Sequence, residues 1–124
     1  MPAIFQVVGP SGSGKTLALE EAVRRLGRRG LRVGVLKHSH HRIDVRGKDT
    51  DRLRRRGSRI VVFASAECVV FTDWDAAALA TALPVDVVLV EGFHGRRFPG
   101  QRFLVRHPDQ ARSVVIRHNG ALQF

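Results

Sequence analysis

The 124 residues contain no tyrosine, a single tryptophan and a single cysteine, Cys68. One cysteine excludes a disulfide framework and any cysteine-based zinc site. Placed in an apolar stretch, Cys68 is expected to be a buried, inert thiol. Long apolar runs are also missing. The longest, residues 60–64 and 85–90, fall far short of the roughly 20 residues needed to span a bilayer. The opening Met1-Pro2-Ala3-Ile4-Phe5 has no basic segment and no long apolar stretch. No signal peptide and no membrane partner are therefore expected, and the expected compartment is the cytoplasm.

Acidic residues are few. Eleven stand against twenty-one basic ones, giving a formal charge of +10 and an isoelectric point near 11.6. Such a surface attracts polyanions: nucleotides, phosphorylated cofactors, acidic proteins or nucleic acid. Lysine is scarce within the basic set. Only Lys15, Lys37 and Lys48 occur, against eighteen arginines. Lysine is a compact point charge and arginine a planar fork, so the two are not interchangeable at a phosphate site. All three lysines fall in the segments that look most like motifs, although chance would place three residues so without difficulty.

The 44% hydrophobic content and the length fit one globular domain spanning residues 1–124. Residues 3–8 read as a buried strand and 15–29 as an amphipathic helix. Residues 31–36 read as a second strand, parallel to the first because a helical crossover joins them. A short basic helix is expected at 51–56, strands at 60–64 and 68–72, a helix at 75–83 and a strong buried strand at 86–90. Residues 102–105 and 113–117 read as final strands near a sheet edge. Strands alternating with helices predict an α/β three-layer domain around a mostly parallel sheet.

The segment Gly9-Pro10-Ser11-Gly12-Ser13-Gly14-Lys15-Thr16 matches G-x-x-x-x-G-K-[ST] in full and lies between a strand and a helix. Its glycines allow the backbone to wrap so that N–H groups face phosphate oxygens, and the helix N-terminus adds free donors. Lys15 is placed to reach the β- and γ-phosphates and Thr16 to ligate Mg²⁺. The bland alternative is a glycine-rich turn before a helix, which the combination of motif and context disfavours. Neither the base nor a fast hydrolysis follows from the motif.

The run Val85-Asp86-Val87-Val88-Leu89-Val90-Glu91-Gly92 resembles a Walker B element. An apolar strand beside the first one delivers Glu91 at its C-terminal end, where the crevice of an open α/β sheet lies. Glu91 would hold Mg²⁺ through water or orient an attacking water. Asp86 sits at the opposite end, about 16 Å away at strand spacing. A solvated strand end is the alternative for Glu91, and the complete phosphate loop weighs against it.

Lys37-His38-Ser39-His40-His41-Arg42-Ile43-Asp44 follows the second strand and should face the same crevice. Its histidines and aspartate suit hydrogen bonding around a phosphate, with Asp44 a possible Mg²⁺ ligand. The spacing matches no standard zinc pattern, and a solvated loop remains open for His41 and Arg42. Gly47-Lys48-Asp49-Thr50 leads into the run Arg54-Arg55-Arg56. That run is a solvated face or a grip for an anionic partner. Nucleic acid is disfavoured, since Trp74 stands alone and no aromatics interleave with the arginines. His94, Arg96 and Arg97, after Glu91, are divided between loop solvation and a ligand role.

Together these segments resemble the molybdopterin-guanine dinucleotide biosynthesis protein B (MobB) family. The phosphate loop is generic. The Lys37–His41 motif with Asp44, then Gly47-Lys48-Asp49-Thr50 with Arg52 and Gly57, then Asp86–Phe93, are more specific and occur in the same order. The resemblance covers about residues 3–95. It implies a P-loop NTPase fold related to the nitrogenase iron protein group, usually dimeric. It implies GTP binding with Mg²⁺, weak GTP hydrolysis and an adapter role in molybdenum cofactor biosynthesis. The partners it implies are a MobA-like nucleotidyltransferase joining GMP to molybdopterin and molybdopterin-bearing proteins. By this resemblance Gly9, Pro10, Ser11, Gly12, Ser13, Gly14, Lys15, Thr16, Lys37, His38, His40 and Asp49 bind the nucleotide. Thr16, Asp44 and Glu91 hold the metal, and Lys15 and Glu91 carry any catalysis.

Two departures are visible. Only Val45 and Arg46 separate Asp44 from Gly47, where the family has a longer stretch containing Asp and Pro. No [NT]-K-x-D guanine signature is present, so guanine preference rests on the resemblance alone. The alternatives are a small P-loop kinase acting on a metabolite and a metal-delivery GTPase using His38, His40 and His41.

Overall fold

A computed structural model describes residues 1–41, 43–44, 46–113, 115–116 and 122–123. They fall into two compact units, Met1–His38 with Ala76–Phe124 and Ser39–Asp75.

The first unit is built on a four-stranded parallel sheet. Its strands are β1 (Ala3–Val8), β2 (Val33–Lys37), β5 (Val87–Glu91) and β6 (Gln101–Leu104), in the order β2-β5-β1-β6. β5 and all of β1 after Ala3 are buried, as expected of central parallel strands covered on both faces. Helix α1 (Lys15–Arg28) covers one face. It packs Ala18, Leu19, Ala22 and Leu26 against Phe5, Val7, Val87 and Leu89. On the other face Ala80 of α3 (Ala76–Ala82) joins Ile4, Val88, Val90 and Phe98. This is the predicted three-layer arrangement. The first two strands are parallel as expected, but β5 is inserted between them. Asp86 lies just before β5, bound to the backbone N–H and guanidinium of Arg32, and takes no part at the sheet's other end.

The closing strands differ from expectation. β6 is an edge of the main sheet, but β7 (Val115–Ile116) pairs antiparallel with β8 (Leu122–Gln123) in a sheet of its own. A 3-10 helix, Pro108–Ser113, intervenes. Val114 and Arg117 of the expected 113–117 strand lie outside the described residues.

The second unit carries α2 (Asp49–Arg55) and the antiparallel hairpin β3 (Ile60–Ala64) and β4 (Cys68–Thr72), closed through Ser65–Glu67. The helix starts two residues earlier than expected. Asp49 and Asp51 occupy its first turn, where carboxylates complement the helix dipole. The hairpin leaves Val62, Phe63, Val69 and Val70 exposed. Cys68 is exposed with them, which corrects the expected buried thiol. An apolar strand buries its cysteine only where another layer covers it.

Candidate functional site

The phosphate loop joins β1 to α1 in the first unit. Gly14 is the N-cap of α1, in the left-handed region at φ +92°, with no side-chain cap on the helix. The first N–H groups of the helix are therefore not consumed by a capping side chain, the arrangement that receives an anion. Two glycines are also required by close approach. A Cβ on Gly14 would stand 2.5 Å from Cα of Pro108, and one on Gly9 would stand 2.0 Å from the carbonyl oxygen of Val105. The chain after β6 thus presses directly on the loop.

Inside the loop, Lys15 Nζ donates to the carbonyl oxygens of Gly9, at 2.7 Å, and Pro10, at 3.0 Å. An ammonium has three donors, so one remains for a phosphate oxygen. The Ser13 hydroxyl is buried and makes no hydrogen bond among the described residues. A buried orphan hydroxyl is costly unless a ligand or water supplies its partner. These features fit a phosphate. Pro10, Ser11 and Gly12 line the loop's exposed rim.

Glu91 ends β5 on the α1 side of the sheet, in register with Val7 and Lys37. Its Oε1 accepts from Thr16 Oγ1 at 3.2 Å and lies 3.6 Å from Lys37 Nζ. The Walker-type acid and the Thr of the loop are therefore in direct contact. A carboxylate and a hydroxyl at that distance are the hard oxygen donors that suit Mg²⁺. His38 donates its backbone N–H to the Glu91 carbonyl oxygen at 3.0 Å, and its ring lies 4.6 Å from that of Phe93.

The other expected site residues belong to the second unit. Asp44 is buried; its Oδ1 accepts from Thr50 at 2.8 Å and its Oδ2 pairs with Arg54 at 3.0 Å. Asp49 is almost fully exposed and approaches Arg52. His40 is exposed. The arginines of α2 are matched locally: Arg55 binds buried Asp51 at 3.1 Å, and Arg54 also lies over the Phe71 ring. Among the described residues no three His, Cys, Asp or Glu side chains converge as a metal site would require. Arg96 lies over the ring of Phe98, and the His94 carbonyl oxygen accepts from Arg102.

The sequence reading missed Gln6. It is almost fully buried in β1, and its Nε2 faces three carbonyl oxygens: Gly92 and Phe93 at 3.0 Å and Arg96 at 2.9 Å. One side-chain amide therefore pins the turn that follows Glu91. That turn contains Phe93 at φ +57°, the sole described non-glycine residue with positive φ, a conformation that carries strain. The signal was present: a lone amide inside the otherwise apolar run Ala3-Ile4-Phe5-Gln6-Val7-Val8 needs polar partners when buried.

Phosphate loop, acid-tipped neighbouring strand and covered parallel sheet together define a P-loop α/β protein of the nucleoside-triphosphatase type. The family model for molybdopterin guanine dinucleotide synthesis protein B matches residues 4–119, and the chain belongs to that family. It is 39% identical over 107 residues to the molybdopterin-guanine dinucleotide biosynthesis adapter protein of Haemophilus influenzae, covering 77% of this chain and 60% of that protein. It is 34% identical over 106 residues to the probable adapter protein of Bacillus subtilis, covering 77% and 61%. The crystal structure of Bacillus subtilis MobB matches with a TM-score of 0.59 at 28% identity, over 83% of this chain and 67% of that one. The chain spans about 60% of the length of these two curated relatives.

Proposed function

We propose that this protein binds GTP with Mg²⁺ and acts as an adapter in molybdopterin guanine dinucleotide biosynthesis. The observation that carries the reading is the loop Gly9–Thr16, its buried Ser13 hydroxyl lacking a partner and its Thr16 in contact with Glu91. Backbone N–H groups of the loop and Lys15 hold the phosphates; Thr16 and Glu91 hold Mg²⁺, which supplies positive charge to the phosphate oxygens when bound. Lys37 adds a second ammonium beside Glu91. A nucleotide-binding role for His38, His40 and Asp49 and a metal-binding role for Asp44 belong to this proposal. So does the action of residues 1–124 as one nucleotide-binding domain. Hydrolysis is slow, because the loop itself offers no Gln or Arg to organise an attacking water.

The partner in this reading is the nucleotidyltransferase that joins GMP to molybdopterin, and the compartment is the cytoplasm. Among the described residues no helix is long and apolar enough to cross a membrane. The protein works as a homodimer. Support comes from the hairpin, whose Val62, Phe63 and Val70 are all more than half exposed; isolated two-stranded hairpins are marginal in water. Local pairing of the α2 arginines with Asp44, Asp49 and Asp51 weighs against a nucleic-acid reading.

The test combines the purified chain with the nucleotidyltransferase, molybdopterin and GTP. The adapter reading expects more dinucleotide product with the chain than without it, and slow GTP hydrolysis by the chain alone. Transfer of the γ-phosphate to a small-molecule acceptor would replace this reading with the kinase one.

A further inference from the structure

Gln6 faces more acceptors than it can serve. Its Nε2 lies within 3.0 Å of the carbonyl oxygens of Gly92, Phe93 and Arg96, yet a side-chain amide carries only two hydrogens. Its Oε1 is buried and accepts from no described group. A buried acceptor without a donor is costly. The turn that Gln6 holds is strained as well, with Phe93 at φ +57°. Surplus carbonyls, orphan acceptor and positive φ meet at one peptide unit, the one joining Gly92 to Phe93.

That unit can stand in two positions. It is trans, so its C=O and N–H point in opposite directions. Here the Gly92 carbonyl oxygen is turned to Gln6, and the Phe93 N–H is turned away from it, making no hydrogen bond among the described residues. Gln6 lies on the α3 side of the sheet, because it alternates with Phe5 and Val7, which pack under α1. The Phe93 N–H therefore points to the α1 side, where Glu91 meets Thr16 of the phosphate loop. The turn is tied there by the Gly92 N–H, which donates to the Val7 carbonyl oxygen at 2.9 Å. Turning the unit over would carry Phe93 to negative φ and bring its N–H to Gln6 Oε1. It would also swing the Gly92 carbonyl oxygen to the loop side. Gly92 tolerates the accompanying change in ψ because it has no Cβ.

We infer that Gln6 is a positioning residue that sets the Gly92–Phe93 peptide between these two positions, and that the peptide responds to the terminal phosphate of the bound nucleotide. The inference rests on the nucleotide-binding reading above. The metal bridges the β- and γ-phosphates, so the turn leaving Glu91 meets the terminal one. In the position seen here an N–H faces the loop and attracts a phosphate oxygen. In the other a carbonyl oxygen faces it and repels one. A nucleoside triphosphate therefore selects the first position. Without the terminal phosphate, the strain at Phe93 and the orphan Oε1 draw the peptide over. Gln6 serves both positions because an amide both donates and accepts; it touches no phosphate itself.

The test is calorimetric titration of the full chain with GTP and with GDP, both with Mg²⁺. It is repeated for Gln6→Leu, Phe93→Asn and Phe93→Val. The two Phe93 variants lose the same ring and differ in backbone preference: Asn tolerates positive φ, and a β-branched Val does not. The parent chain should prefer GTP over GDP by about tenfold or more, the worth of one hydrogen bond to a charged group. Phe93→Asn should keep that preference. Phe93→Val and Gln6→Leu should lose it through weaker GTP binding, with GDP binding little changed. Equal GTP-to-GDP ratios in the two Phe93 variants would overturn the inference. So would a Gln6→Leu chain in which GTP and GDP weaken alike, since that is the mark of a merely structural residue. A parent chain that binds GTP and GDP equally would overturn the inference and leave the nucleotide site standing. If neither nucleotide binds, the nucleotide-binding reading falls and this inference falls with it.

Discussion

β1 and β5 on one side, and β3 and β4 on the other, are written in nearly the same alphabet. Each combines Val with Ile, Leu or Phe, and each is five or six residues long. Their fates are opposite. Every residue of β5 is buried, whereas Val62, Phe63 and Val70 of the hairpin are more than half exposed. The difference lies in what covers them. β1 and β5 are central strands with α1 on one face and α3 on the other; the hairpin is a separate two-stranded sheet. An apolar strand states that it needs cover, not where the cover comes from. In the first unit the chain supplies it, and in the second we assign it to a second copy.

The comparison can be broken most sharply in the core. Leu89→Ala, at a fully buried position under α1, should cost about 2–5 kcal/mol in urea unfolding. Val70→Ala on the hairpin should cost no more than about 0.5 kcal/mol in dilute solution. Near-equal costs would mean that the hairpin is already covered in the state being unfolded.

Gln6→Leu comes next. It removes the donor that serves the Gly92, Phe93 and Arg96 carbonyl oxygens, and should lower stability by about 1–3 kcal/mol. It should also weaken Mg²⁺-dependent nucleotide binding, because the turn after Glu91 loses its anchor. A loss of stability with unchanged Mg²⁺ dependence would make Gln6 purely structural.

Smaller in stability, but decisive for the hairpin, is Phe63→Ser. At an exposed site it should leave the melting temperature of dilute protein nearly unchanged and shift sedimentation from dimer towards monomer. A dimer that persists would place the interface elsewhere.

The smallest effect concerns the far end of β5. Arg32 donates to Asp86 through its guanidinium and backbone N–H, holding that carboxyl below its usual range. In acid the unfolded chain then binds the proton more readily than the folded one. The contribution is present above about pH 4 and lost as pH falls further. Asp86→Asn should flatten the acid limb of the stability profile slightly and leave nucleotide binding unchanged, as measured by unfolding midpoints across pH.

What could be read from the sequence was what is local in it. The phosphate loop is eight consecutive residues, and its strand and helix neighbours follow from short apolar patterns. Glu91 was found because the strand carrying it ends on an acid. Strand order was not local: the placement of β5 between β1 and β2 depends on pairing across some fifty or more residues. The same holds for Val105 and Pro108 over Gly9 and Gly14. The glycines of the motif were legible, but the backbone that forbids them a side chain was not. Cys68 was misjudged because an apolar neighbourhood in sequence was equated with a covered one in space.

The central claim is that Gly9–Thr16 and Glu91 form one Mg²⁺–nucleotide site. The most direct measurement is calorimetric titration of the chain with GTP, with and without Mg²⁺, beside Lys15→Ala and Glu91→Gln. The account predicts saturable binding that Mg²⁺ strengthens, loss of binding in Lys15→Ala, and in Glu91→Gln binding that Mg²⁺ no longer strengthens. Binding that survives Lys15→Ala undiminished, or that Mg²⁺ strengthens equally without the Glu91 carboxylate, would contradict it.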